Sequence, residues 1–462
     1  MEWLSLVMFG VLCIVLMLGY PVSMSLAGVA LLFAGIGIGV EAFDASFLQA
    51  ISSRIYGIMT NETLIAVPTF IFMGITLQKA KIAEDLLDTM TLLFGGVRGG
   101  LAFSVAVVGM LLAASTGIVG ATVVTMGLLS LPVMLKRGYD PALSCGIICA
   151  SGTLGQIIPP SIVLILLGDV IGNAYGEAQR EMGNFAPDTV SVSDLFIAAI
   201  IPGTLLVGLY ILYLIIRAIV TPQALPLLSK EERAMQRGEH FYLRLMFVLL
   251  PPLLLVACVL GSIIMGLATP TEAASIGAFG ALVIALVRYG FDKSRGLAVN
   301  LRWLIEVPRE TLIVTAMVFF ILMGASLFSL VFRAYGGDHL IETALTNLPG
   351  GVIGAMIVVM LVMFLLGFVL DFLEIVFVVV PIVAPILFKM DVDPVWFAIM
   401  VAMNLQTSFL TPPFGFALFF LRGVAPASVP TSAIYRGVIP FILIQMSMLL
   451  ILALVPSMVH WL

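Results

Sequence analysis

Apolar stretches long enough to cross a bilayer, roughly 18 residues or more, recur along the whole of this 462-residue chain. Inside hydrocarbon every backbone N–H and C=O needs a partner within the protein, so only helices and closed barrels span a membrane. The stretches are too long for barrel strands, which alternate polarity over about 10 residues. With 61% of residues hydrophobic and 10% charged, the chain is an all-α integral membrane protein. Residues 1–19 open with Glu2, lack a basic leading region and show no small-residue cleavage pattern, so they are predicted to be the first span and not a secretory signal. The four cysteines, Cys13, Cys145, Cys149 and Cys258, all fall in apolar segments with no companion loop, which points to packing and not to a disulfide or metal site. The net charge of -5 comes from short loops and says nothing about nucleic acid, for which the sequence has no basic helix or aromatic platform, so no nucleic-acid partner is expected.

The chain is written twice. The segment "LPVMLKRGYDPALSCGIICASGTLGQIIPPS" (131–161) aligns without a gap on "APILFKMDVDPVWFAIMVAMNLQTSFLTPPF" (384–414), an offset of 253. Upstream, "FIFMG" (70–74) meets "FILMG" (320–324), and Pro21 with Gly28 meets Pro270 with Gly277. Basic residues place the ends: Arg217, Lys230, Arg233, Arg237 and Arg244 mark one cytoplasmic loop, and Arg288, Lys293, Arg295, Arg302 and Arg309 another. The acidic stretch 169–194, with Asp169, Glu177, Glu181, Asp188 and Asp194 against Arg180 alone, reads as an external loop. About ten spans follow, near 2–19, 21–40, 63–78, 141–167, 195–216, 245–266, 268–287, 311–332, 394–421 and 436–458. Residues 101–135 and 352–388 are too long for single crossings and break at "ASTGIVGA" (114–121) and "GFVLDFLE" (367–374), so both are predicted re-entrant hairpins. Five crossings separate Pro21 from Pro270, an odd number, and the halves are therefore inverted. The expected units are a first repeat over 1–216, a cytoplasmic connector over 217–244 and a second repeat over 245–462.

Two of the spans are themselves broken, at "SGTLGQIIPPS" (151–161) and "NLQTSFLTPPF" (404–414). Irregular backbone at membrane depth survives only where protein or an aqueous cavity satisfies it. Unwound carbonyls and half-helix ends coordinate a desolvated cation, and amide ends attract an anion. The hydroxyls of Ser115, Thr116, Thr153, Ser408 and Thr411 add hard oxygen ligands of the kind sodium takes. Asn404 and Gln406 are amides that must find partners in a span. Asp371 and Glu374, in the second hairpin, are either functional charges or solvated at a wet tip. Glu272 reads as a helix-terminal charge partner, Arg422 as a topology marker or a substrate anchor, and Lys136 and Lys389 as repeat-matched interfacial anchors.

The chain has only three histidines, His240, His339 and His460, and none of the patterns HExxH, GxSxG or GxxxxGKS. That leaves no metal, nucleophile or phosphate cradle for an enzyme or for ATP hydrolysis in this chain. A passive channel needs a continuous lined pore, whereas inverted repeats with paired hairpins suit alternating access.

Three stretches, "STGIVGATVVTMGLLSLPVMLKRGYDPALSCGIICASGTLGQIIPPSI" (115–162), "ATPTEAASIGA" (268–278) and "PPFGFALF" (412–419), resemble the large membrane subunit, the M or DctM-type permease, of tripartite ATP-independent periplasmic transporters. The resemblance covers essentially the whole chain. It implies an elevator-type secondary active transporter of the inner membrane, with sodium as coupling ion and no other cofactor. It further implies a small four-helix membrane subunit (DctQ-type) and a soluble periplasmic binding protein (DctP-type) that delivers an organic acid anion. By this resemblance sodium is held in two clamshells. One maps onto Ser115, Thr116 and the backbone around Gly155, Ile158 and Pro160; the other maps onto Gly367, Asp371, Ser408, Thr411 and Phe414. Ser151, Thr153, Asn404, Gln406 and Thr407 would line the substrate cavity between them. The chain departs from the commoner pattern at the tip "ASTGIVGA", less rich in serine and glycine, and in a longer loop over 172–196 that looks like a subgroup handling other organic acids, 2-oxo acids among them. A self-sufficient sodium- or proton-coupled anion carrier would share this membrane fold.

Overall fold

The computed structural model describes residues 2–227, 241–294 and 302–461, with the side chains of 114–116, 241–244 and 291–294 outside that description. Helices are the only regular elements among the described residues, which contain no strand. The first half runs α1 (Trp3–Met17), α2 (Val22–Gly39), α3 (Ala50–Met59), α4 (Ala66–Lys79) and α5 (Ile82–Phe94). A hairpin of α6 (Gly100–Thr116) and α7 (Val119–Lys136) follows, then the broken pair α8 (Pro141–Thr153) and α9 (Ile162–Glu181), then α10 (Val192–Val220). The second half repeats the order with α11 (Phe241–Ile264), α12 (Pro270–Ser294), α13 (Trp303–Ala334) and α14 (Gly337–Thr346). Its hairpin is α15 (Gly351–Leu366) and α16 (Phe372–Lys389), its broken pair α17 (Pro394–Leu410) and α18 (Phe416–Val424), and its last helix α19 (Thr431–Leu454).

Matched residues start matched helices. Asp140 and Asp393 each precede a proline at the first helical position. Their carboxylates accept from Ala142 N at 3.0 Å and Trp396 N at 2.6 Å, so the repeated Asp-Pro is a helix start in both halves. Glu272 does what its position suggests. It accepts from Thr269 N at 2.8 Å while Thr269 Oγ1 accepts from Glu272 N at 3.3 Å, a capping box on α12.

Eight described helices are long and apolar enough to cross a bilayer, nine if the bent pair Ala45–Met59 and Thr63–Lys79, angled by 58°, is one span. The about ten expected crossings are distributed differently for three reasons: the broken spans appear as pairs of separate helices, α1 has only 15 residues, and two of the eight, α7 and α16, are limbs of the segments expected as hairpins. The expected span at 63–78 is the second limb of the bent pair. The short amphipathic helices α5 and α14 had no counterpart in the span assignment, because each carries charge on one face and is too short to cross.

The external loop expected over 172–196 is corrected by the fold. Helix α9 continues to Glu181 and α10 begins at Val192, so the connection is only 182–191. Ile171, Ala174 and Ala178 are buried at helical spacing and hold this extension against the core. Two of the five acids that make it read as a loop instead face cations on neighbouring helices: Glu177 pairs with Arg333, and Glu181 with Lys389 at 2.6 Å. Lys389 also reaches Glu342 at 3.0 Å. Of the basic connector, residues 228–240, including Lys230, Arg233 and Arg237, lie outside the described residues, as does Arg295.

The two halves interlock. Helix α2 packs on α13 and α4 on α12; α8 crosses α19, and α9 lies along α16. The α8–α19 crossing is closest at Gly146 and Gly437, where a Cβ on either glycine would collide with a backbone carbonyl of the other helix. Small residues allow this approach and the dispersion contacts that replace the hydrophobic effect in lipid. Gly437→Leu is therefore expected to lower the melting temperature of the detergent-purified protein, by overpacking worth ~1–3 kcal/mol. Gly10→Ala, where nothing lies within 4 Å of the new Cβ, is expected to leave it unchanged.

Candidate functional site

Each hairpin tip rests on the broken span of its own half. In the first half α6 ends at Thr116 and Gly117 turns the chain with φ 61°, a left-handed conformation that glycine adopts without strain. A Cβ there would lie 2.9 Å from Ile162 Cγ1 and 3.2 Å from Ile162 N, so the tip sits over the first turn of α9. Beside it Gly155 faces Ala113, with the carbonyl of Ala113 3.2 Å from the position a Cβ would take. In the second half Gly367 packs directly on Ser408, leaving no room for a side chain. Gly367 and Ser408 are thus brought together, as are Gly155 and the tip-proximal end of α6. The side chains of Ser115 and Thr116 lie outside the described residues.

The breaks are stitched by hydroxyls. After α8 the chain makes one 3-10 turn, Leu154–Gln156, and the amides of Ile157 and Ile158 return to Leu154 O at 3.1 and 2.9 Å. Ser161 Oγ donates to Gly155 O at 2.8 Å and lies 3.1 Å from Gln156 O. In the second break Thr411 Oγ1 donates to Thr407 O at 2.7 Å, Ser408 Oγ to Leu405 O at 2.9 Å, and Gly415 N to Thr411 O at 3.0 Å. Both proline pairs, Pro159-Pro160 and Pro412-Pro413, are cis. A hydroxyl that donates to its own helix keeps lone pairs on its oxygen, so its capacity to accept is not used up. Phe414, by contrast, presents its ring outward, 51% exposed, and only its backbone belongs to the break.

The carboxylates of the second tip have a local task. Asp371 N donates to Glu374 Oε2 at 2.9 Å and Phe372 N donates to Asp371 Oδ1 at 2.8 Å, a capping box that starts α16. Directly beyond it Ile375–Val379 forms a π turn, a widening often found at functional sites. Arg422 Nη1 donates to Val429 O at 2.6 Å and so closes the turn after α18.

Between the two breaks lies a buried polar centre. Ser151, Thr153, Asn404, Gln406 and Thr407 are all buried there. Ser151 Oγ donates to Ile148 O at 3.1 Å and Thr407 Oγ1 to Met403 O at 2.8 Å. Asn404 Nδ2 donates to Met360 O at 2.8 Å and ties α17 to the hairpin arm α15. Thr153 and Gln406 are repeat mates, 253 positions apart, and both face a pair that the sequence reading did not single out. Gln445 of α19 donates through Nε2 to Thr153 Oγ1 at 3.3 Å and to the Tyr210 hydroxyl of α10 at 2.8 Å. Gln406 comes close to that hydroxyl without completing a hydrogen bond. The available signal for Gln445 was an amide in the middle of an apolar span, "FILIQMSML"; Tyr210 had none, since tyrosine is ordinary in such helices. Among the described residues no Lys, Arg or His side chain is buried.

Comparison with known proteins agrees with this architecture. The family model described as the DctM component of the tripartite ATP-independent periplasmic transporter matches residues 9–458. The C4-dicarboxylate TRAP transporter large permease protein DctM of Pseudomonas aeruginosa is 28% identical over 90% of this chain and 89% of its own. The sialic acid TRAP transporter large permease protein SiaM of Vibrio cholerae is 27% identical over 95% and 93%. The crystal structure of the Alcanivorax borkumensis YdaH transporter, at 16% identity, superposes with a TM-score of 0.60 over 90% of both chains, a likeness of fold alone. The fold is an all-helical membrane architecture of the elevator type. The chain belongs to the DctM family of tripartite ATP-independent periplasmic transporters, and is a multi-pass inner-membrane permease and not an enzyme.

Proposed function

We propose that this permease imports an organic acid anion coupled to sodium, with the substrate delivered by a periplasmic binding protein and the scaffold braced by a small four-helix membrane subunit. The observation that carries the reading is the buried centre itself. It is lined by hydroxyls, amides and broken helix ends, with no buried Lys, Arg or His among the described residues. An organic anion moved into such a site needs its charge met by something that travels with it. Sodium on the adjacent unwound oxygens supplies that charge, and the neutralised load crosses with the moving hairpins and broken helices at a much reduced desolvation cost. Sodium sites are assigned to Ser115, Thr116 and the backbone of Gly155, Ile158 and Pro160, and to Gly367, Asp371, Ser408, Thr411 and Phe414. The anion lies among Ser151, Thr153, Asn404, Gln406 and Thr407. The two repeats, 1–216 and 245–462, each contribute one hairpin and one broken span.

Proteoliposomes holding this chain and its small subunit, given an inward sodium gradient, are expected to accumulate radiolabelled organic acid only when the cognate binding protein is present. Uptake with sodium but without that protein would make this a self-sufficient carrier, and uptake indifferent to sodium would overturn the coupling.

Ser408→Ala and Thr411→Ala each remove one oxygen from the second break. Each is expected to raise the sodium concentration for half-maximal uptake about tenfold, the equivalent of ~1.4 kcal/mol. Asp371→Asn is expected to weaken sodium activation in the same assay. An unchanged sodium curve in all three variants would remove this ligand set.

A further inference from the structure

Where the two broken spans meet, the protein leaves three glutamine amides short of partners. Gln156 and Gln406 have none at either amide atom, Gln445 has none at Oε1, and all three side chains are fully buried. The 3-10 turn Leu154–Gln156 packs against α17, the helix that carries Gln406, so the elements bearing the first two come from opposite halves. The orientation of Gln445 is set by its neighbours. Thr153 gives its proton to Ala150 O at 2.9 Å, so its oxygen must accept. The Gln445 nitrogen therefore faces Thr153 and Tyr210, and its carbonyl is the end left without a donor.

Gln156 and Gln445 each present a carbonyl lacking a donor and Gln156 also a nitrogen lacking an acceptor, while Gln406 lies close to the Tyr210 hydroxyl without a completed hydrogen bond. A buried unpaired polar group is costly, and a ligand that supplies the missing partners is correspondingly favoured. A carboxylate that only accepts satisfies an amide nitrogen and sets the donor-less carbonyl oxygens against its own charge. A hydroxyl or ammonium next to that carboxylate satisfies both kinds of group. Sites built to hydrogen-bond a particular substrate group reject analogues that lack it far more strongly than apolar pockets do.

We propose that Gln156, Gln406 and Gln445 form a subsite for a hydrogen-bond donor on the transported anion, a hydroxyl or ammonium beside its carboxylate. Tyr210 and Thr153 are the positioning residues that aim Gln445. The subsite rests on the substrate-cavity reading above.

The test measures the melting temperature of the full chain with its small subunit, at saturating sodium. The probes are matched three-, four- and five-carbon acids with and without a hydroxyl or amino group. In at least one matched pair the donor-bearing acid is expected to stabilise the protein at a concentration at least tenfold lower. Tyr210→Phe, which removes only a hydroxyl, and Gln445→Leu are expected to bring the two members of that pair within about twofold, with stabilisation by sodium alone unchanged. Equal response of the wild type to both members, a preference retained in both variants, or a loss of the sodium response in place of the acid preference would each overturn the subsite. If no acid of either kind stabilises the wild type in sodium, the cavity reading itself falls and the subsite with it.

Discussion

The structure turns on the need to pair every backbone polar group inside a medium that offers no water. A chain with 61% hydrophobic residues meets that need by staying helical, and it departs from the helix at four matched places. At each one a short-range device satisfies the freed groups. Gly117 folds the first tip onto α9, Ser161 donates into the first break, Asp371 and Glu374 cap the second tip, and Thr411 and Ser408 secure the second break. Because these donors are used locally, the oxygen lone pairs around them remain available. The same economy that makes the breaks tolerable in lipid makes them suitable for a cation.

Charge is distributed by the same rule. The buried centre carries amides and hydroxyls, while the ion pairs collect at helix ends where the surroundings are more polar. Lys79 meets Glu310 at 2.6 Å and Glu306 at 3.3 Å, and Arg288 meets Asp85 at 2.7 Å. Toward the other face Arg333 of α13 binds Glu177 of α9 and reaches Pro381 O of α16 at 3.2 Å. Asn61 Nδ2 donates to Asp169 Oδ1 at 2.8 Å. These pairs are partly exposed, and such pairs contribute only about 0–1 kcal/mol each. They set register between elements without locking them.

Much of the fold was legible because its signals are periodic or repeated. The Asp-Pro starts at 140–141 and 393–394, the double prolines and the glycine-marked tips occur twice, and the second copy turns an ambiguous break into a feature. The limits of that reading are equally physical. Helices α5 and α14 are too short to stand out as spans and owe their helicity to an amphipathic face that only packing reveals. The extension of α9 to Glu181 was read as loop because its acids look solvated until Arg333 and Lys389, far away in sequence, arrive beside them.

The candidate site divides along the same line. Ser151, Thr153, Asn404, Gln406 and Thr407 are recognisable from the sequence because polar side chains within an apolar span must be accounted for. Which of them meet was decided by the tertiary structure, since crossing α8 with α19 at Gly146 and Gly437 puts Gln445 beside Thr153, and α10 then brings Tyr210 to Gln445. Sequence by itself determined the medium, the helical class, the inverted duplication and the places where helices break, because local backbone chemistry governs all four. The three-dimensional packing decided which broken end faces which amide, because hydrogen bonds between elements depend on distances that no local pattern encodes.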